Sequence, residues 1–163
     1  MFQVFNTKTH QKEGFIPLNP EQITFYGCGP TVYNYAHIGN LRAYVFYDLL
    51  NRYLRFKGYK VKFAMNLTDV DDKTIRDSQK AGVPLREWTQ KYADAFFEDC
   101  AKLNIKKPDV IIKAIEEMPA MIELTQILLD KGYAYQTKTG DVFFKIDKFP
   151  DYGKMAGIEA KNY

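Results

Sequence analysis

No feature constrains the fold of this chain as tightly as Gly27-Cys28-Gly29-Pro30, which cuts short a compact run of β-formers, Ile23-Thr24-Phe25-Tyr26. Two residues without side chains and one without an N–H stop the strand and impose a turn. From Ile38 the pattern changes. Leu41, Val45, Leu49 and Phe56, widened by Leu50, Tyr53 and Leu54, recur at helical spacing until Gly58, a natural residue for the position after a helix. This spacing predicts a helix of about four to five turns. Tyr59 to Met65 then alternates and is rich in β-formers, so a second strand follows at once. Strand, loop, helix and strand with short connections form the crossover of a parallel sheet, and the fold class is α/β. Ligands of such sheets sit where strand carboxyl ends meet helix amino termini. The segments at those ends are Gly27 to Asn40 and Asn66 to Asp72.

The rest of the chain reads as helices over Asp71 to Ala81, Leu85 to about Leu103 and Lys113 to Lys131, the last closed by Gly132 and either kinked by Pro119 or truly beginning there. Tyr133 to Gln136 and Asp141 to Ile146, joined by Thr137-Lys138-Thr139-Gly140, predict a β-hairpin. Met1 to Asn19 reads as a short extended arm, with His10 on its surface. The expected division is 1–112 for the nucleotide-binding half of a sheet domain and 113–163 for the start of an inserted helix and hairpin. With 163 residues, 46% of them hydrophobic, the chain can bury a core, and its 12 Tyr and 12 Phe are expected there rather than as base-stacking platforms. A net charge of +3 permits contact with a polyanion without demanding it. No window approaches the roughly 20 apolar residues of a membrane span, and Cys28 and Cys100 show no CxxC spacing. A soluble cytoplasmic protein without disulfides is expected.

Two segments carry chemistry. In Cys28 to Asn40, a helix start with Gly39 and His37 offers backbone N–H groups, the positive end of a helix dipole and an imidazole donor, which suits phosphate. The alternative is a helix-capping loop with a buried histidine. In Asn66-Leu67-Thr68-Asp69-Val70-Asp71-Asp72-Lys73, three Asp in four positions beside Asn and Thr suit a hard cation, a helix cap, or ribose and amino groups. Cys100 reads as a buried helical thiol.

Taken in order, Tyr26 to Tyr33, His37-Ile38-Gly39-Asn40, Leu54 to Val61 and Asn66 to Lys73 closely resemble cysteinyl-tRNA synthetases. The resemblance continues through Leu103-Asn104-Ile105, Pro108-Asp109, Met121 to Leu124, Lys131 to Tyr135, Gly140-Asp141-Val142 and Tyr152-Gly153-Lys154. It implies the first half of a Rossmann-type class I synthetase catalytic domain with an inserted helical and β-hairpin segment. It further implies ATP-dependent activation of cysteine to cysteinyl-adenylate, with Mg2+ accompanying ATP, and transfer to tRNA-Cys. His37, Ile38, Gly39 and Asn40 then correspond to the nucleotide-binding class I signature, with His37 and Asn40 catalytic. Asn40 departs from the signature's usual fourth residue, His; it donates a hydrogen bond but carries no charge. Cys28 corresponds to one of four Zn2+ ligands that select a thiol substrate, and Cys28, Gly29 and Thr68 to the cysteine side of the site.

The remaining zinc ligands and the second class I signature, Lys-Met-Ser-Lys-Ser, do not occur here. Lys154-Met155-Ala156-Gly157 looks superficially similar to that signature, but the neighbouring Tyr152-Gly153 matches an earlier stretch of the family, in the region inserted between the Rossmann halves, so it is not assigned to catalysis. The expectation is an incomplete amino-terminal portion that binds ATP weakly and charges no tRNA by itself. Two other readings compete: an adenylate-forming ligase that joins cysteine to another acceptor, such as an amino sugar, and a non-catalytic nucleotide-binding module. Charging of tRNA-Cys against ligation by the complete protein separates the first, and zinc-dependent preference for cysteine over serine separates the second.

Overall fold

The computed structural model describes residues 2–157. Its opening residues form a hairpin rather than an extended arm: β1 (Gln3–Asn6) pairs antiparallel with β2 (Gln11–Gly14). Asn6 donates to Glu13 and Lys8 N–H donates to Asn6, so local side chains hold the turn. His10 is exposed in that turn, as expected, with φ 56.

The main unit, Leu18–Met118, is built on a parallel sheet in the order β3-β4-β5. β3 (Ile23–Gly27) leads through α1 (Ile38–Phe56) to β4 (Val61–Leu67), which pairs with it in the register Ile23 to Val61 through Gly27 to Met65. α2 (Asp72–Ala81) and α3 (Leu85–Lys102) then lead to β5 (Val110–Lys113), parallel to β4. Gly58 takes the left-handed conformation, φ 87, that ends α1, and Tyr59 N–H reaches back to Leu54 O. The α/β class read from the sequence is the fold observed.

β4 alternates strictly: Val61, Phe63, Met65 and Leu67 are buried, while Lys62 is exposed and Ala64 and Asn66 are half-buried. Tyr44 from α1 and Phe96 and Cys100 from α3 close on Phe63 and Met65, and Val32, Tyr92 and Ala93 close on Leu67. Burial pushes the Cys100 thiol up to about 11, with the Asp99 carboxylate adding to it. The buried helical thiol is therefore confirmed. Asp109 ties the layers together by accepting from Phe63 N–H and from Arg55, each at 2.8 Å.

Two readings need correction. Of the stripe expected on α1, Leu54 is buried and Leu41 packs against the core, but Val45, Leu49 and Phe56 are 47, 63 and 85% exposed, and the helix buries Tyr44 and Asn51 as well. Two adjacent faces of α1 are apolar, and the one carrying Tyr44 and Tyr47, whose rings pack edge to face against each other and against Phe96 and Phe25, turns inward. Lys113 is the end of β5 and not a helix start, and of the two roles open to Pro119 the structure takes the true start: a turn follows β5, and α4 (Met118–Asp130) carries Pro119 in its first turn. Val110-Ile111-Ile112 is a short apolar run bounded by Pro108, which periodicity alone cannot assign.

The second unit comprises the residues up to Pro17 and those from Pro119 on. It holds β1, β2, α4 and an antiparallel hairpin, β6 (Ala134–Gln136) with β7 (Val142–Phe144), as predicted. This grouping differs from the 1–112 and 113–163 division: β5 runs across the 112/113 position, and the opening hairpin groups with the later segment. Residues 158–163 of that expected segment lie outside the described residues. Lys154–Ala156 form one 3-10 turn, with Lys154 paired to Asp151.

Candidate active site at the carboxyl ends of β3 and β4

Beyond Gly27 the chain does not leave the sheet at once. Thr31 and Thr68 form one further parallel bridge, with Thr68 N–H donating to Pro30 O at 3.0 Å and Val32 N–H to Thr68 O at 3.2 Å. Gly29 makes this possible. A Cβ there would lie 1.7 Å from the Asn66 carbonyl oxygen, so no other residue fits the approach. The turn is held by Asn66: its Oδ1 accepts from Gly29 N–H at 2.9 Å and from the Tyr26 hydroxyl at 2.8 Å, and its Nδ2 donates to Thr68 Oγ1 at 3.0 Å.

The chain then reaches α1 at His37, an extended N-cap residue. His37 Nδ1 accepts from Gly39 N–H at 3.1 Å, and Asn40 Oδ1 accepts from His37 N–H at 3.2 Å, which completes a capping box. Because Nδ1 is the acceptor, the neutral ring carries its proton on Nε2, and Asn40 keeps its NH2 for donation. No acidic residue lies in the first turn of α1. A cavity of about 300 Å³ opens here, lined by Gly29, Tyr33, His37, Asn40, Tyr44 and Lys73 among others. Lys73 Nζ stands 5.2 Å from the Tyr33 ring centroid. Burial pushes the Tyr44 hydroxyl far above its ordinary value, so the cavity wall stays neutral there.

The structure thus brings Gly29, His37 and Asn40 around one space. Ile38 and Gly39 are exposed on the first turn of α1, Cys28 is an exposed free thiol next to Gly29, and Thr68 is bridged to the same turn, but these four do not line the cavity. His37 is an exposed capping residue, not a buried one. The carboxylates of the second segment act in the backbone: Asp71 caps α2 by accepting from Lys73 N–H, and buried Asp69 accepts from Ile115 N–H, each at 2.9 Å. Among the described residues no group of three or more His, Cys, Asp or Glu is arranged to hold a metal ion, and no helix is long and apolar enough to cross a membrane. Reading the sequence missed Asn66, Tyr33 and Lys73. Lys73 had a signal, since it follows Asp71-Asp72 at a helix start directed to the same strand ends; Asn66 had none, because its importance lies in a pairing of β3 with β4.

Residues 14–163 match the family described as tRNA synthetases class I (C) catalytic domain. The chain is 48% identical over 157 residues to the cysteine–tRNA ligase of Ligilactobacillus salivarius, covering 96% of this chain and 33% of that protein. It is 49% identical over 159 residues to the cysteine–tRNA ligase of Methanosarcina mazei, covering 98% and 33%. The chain therefore spans about a third of the length of the relatives it matches. Among solved structures, the LeuRS of Agrobacterium radiobacter K84 in a ternary complex with tRNA and LeuAMS superposes with a TM-score of 0.63, at 23% identity, over 75% of this chain and 16% of that one. Mycobacterium tuberculosis methionyl-tRNA synthetase in complex with methionyl-adenylate gives 0.60, at 24% identity, over 69% and 23%. At such identities these two structures speak for the fold.

Proposed function

The chain belongs to the family of class I (C) tRNA synthetase catalytic domains, and from that premise we propose that it supplies the ATP- and cysteine-facing part of a cysteine–tRNA ligase. The complete reaction joins the cysteine carboxylate to the α-phosphorus of ATP, with Mg2+ accompanying the nucleotide, and expels pyrophosphate; it then moves the cysteinyl group to tRNA-Cys and releases AMP. The observation that carries this reading is the start of α1: an imidazole with Nε2–H, an amide NH2 and Lys73 at one cavity, with no carboxylate in the first helical turn. As negative charge shifts onto phosphoryl oxygens, His37 and Asn40 donate to it, and the helix dipole and Lys73 add fixed positive potential. Asn40 in place of His keeps a donor and gives up a charge. Ile38 and Gly39 form the first turn whose dipole faces the nucleotide, with Gly39 N–H held by His37 Nδ1.

On the amino-acid side, Gly29 and Thr68 face the substrate, and Cys28 offers a thiolate to zinc. When bound, zinc would take the substrate sulfur as a ligand and so distinguish cysteine from serine. One thiol does not hold zinc, so further ligands would come from outside this chain. The names of the relatives favour tRNA charging over ligation of cysteine to another acceptor or nucleotide binding without catalysis. Calorimetric titration of the chain with a non-hydrolysable cysteinyl-adenylate analogue tests the proposal. Saturable binding that drops roughly tenfold or more in His37→Ala is expected; binding indifferent to that substitution refutes it.

A further inference from the structure

Asn66 holds the Gly29 turn but has no part in the function proposed above, yet three groups of the site converge on its side chain. Their polarity is determined. Gly29 N–H can only donate, so the atom that faces it at 2.9 Å is the amide oxygen, and the NH2 is directed to Thr68 Oγ1 at 3.0 Å. Thr68 Oγ1 therefore accepts from Asn66, and its own proton is left free to donate. Tyr26, 59% exposed, reinforces this orientation by donating to the same oxygen.

We propose that Asn66 is a positioning residue that fixes both the place of Gly29 and the donor sense of the Thr68 hydroxyl, and so sets the grip of the site on the amino-acid part of the adenylate. The inference rests on the functional reading above, in which Gly29 and Thr68 face the substrate. It adds that these two are one device, held in register by a single amide spanning β3 and β4. A substituent of the same size that only accepts would keep the geometry and reverse the polarity. In Asn66→Asp, Gly29 N–H and Tyr26 still have an acceptor, but the Thr68 proton is drawn to the new carboxylate and is lost to the ligand.

The test measures, for the whole chain, the dissociation constants of the cysteinyl-adenylate analogue and of AMP. N66D is expected to weaken the analogue roughly tenfold while leaving AMP within about twofold. In a Thr68→Val background, which has no hydroxyl to reorient, N66D should add little further loss. If N66D unfolds the chain, N66S, which releases the clamp to water, should show the same ligand-selective loss. Equal weakening of both ligands, or losses that add fully with T68V, would reduce Asn66 to a structural residue and overturn the inference alone. A wild-type chain that binds the analogue no better than AMP would overturn it together with the functional reading.

Discussion

α1 and α2 begin in the same way and are left with opposite electrostatic character. Each follows a strand of the parallel sheet, each starts from an extended N-cap residue, and each closes a capping box. At α1 the cap is the His37 imidazole and its partner is exposed Asn40; at α2 the cap is the Asp71 carboxylate and its partner is Thr74, fully buried. Asp72 adds a second carboxylate in the first turn of α2, and α1 has none. The positive end of the α2 dipole is thus already answered by the protein, whereas that of α1 is answered by a neutral acceptor. Two segments that look equally rich in chemistry divide the labour: one is prepared for an external anion, and the other fastens a helix to the sheet.

Exchanging the caps gives the sharpest test of this contrast. His37→Asp retains a good N-cap but places a carboxylate where phosphate is proposed to dock. Affinity for AMP should fall on the order of 100-fold, from charge repulsion and the lost Nε2–H together, with folding stability held within about 1 kcal/mol. A fall below about threefold would break the comparison. At α2 the effects should move to stability. Thr74 Oγ1 accepts from Asp71 N–H at 2.9 Å and donates to Asp71 O at 2.8 Å. Thr74→Val takes the acceptor from the half-buried Asp71 N–H and leaves Asp71 O with Ile75 N–H as its donor, at 3.0 Å, and urea unfolding should report a loss of about 1–3 kcal/mol. Asp71→Ala should cost about 1 kcal/mol, with AMP binding unchanged in both variants.

The same contrast explains what could be read from the chain alone. The α/β crossover was legible because Gly27 to Pro30 and Gly58 punctuate two different periodicities. His37 to Asn40 was legible because a helix start announces its caps locally. Whether Asp69 and Asp71 bind a cation or cap a backbone was not, since the deciding partner of Asp69, Ile115 N–H, lies 46 positions away. The inward face of α1 was also hidden, because Tyr44 and Val45 are both apolar neighbours and only the position of Phe63 and Phe96 decides between them. Asn66 shows the limit most clearly: its neighbours Gly29 and Tyr26 lie 37 and 40 positions earlier, joined to it only by the β3–β4 register.

The smallest effect predicted is on the stability of the α1 cap, and it discriminates because it should be small. Asn40 and Thr74 occupy the same position in their capping boxes, so equal contributions to folding would be expected if motif alone governed them. Burial says otherwise. When Asn40→Ala removes the acceptor of His37 N–H, water reaches the freed group, because His37 and Asn40 are both exposed; the cost should be about 0.5 kcal/mol or less. Asn40 lines the cavity and its amide NH2 donates to no group of the fold, so AMP affinity should fall more, by about three- to tenfold. Urea unfolding and calorimetry on the same sample measure both quantities. A stability loss matching that of T74V, with AMP affinity untouched, would mean that the start of α1 is built for folding as much as that of α2, and that the phosphate site must be sought elsewhere.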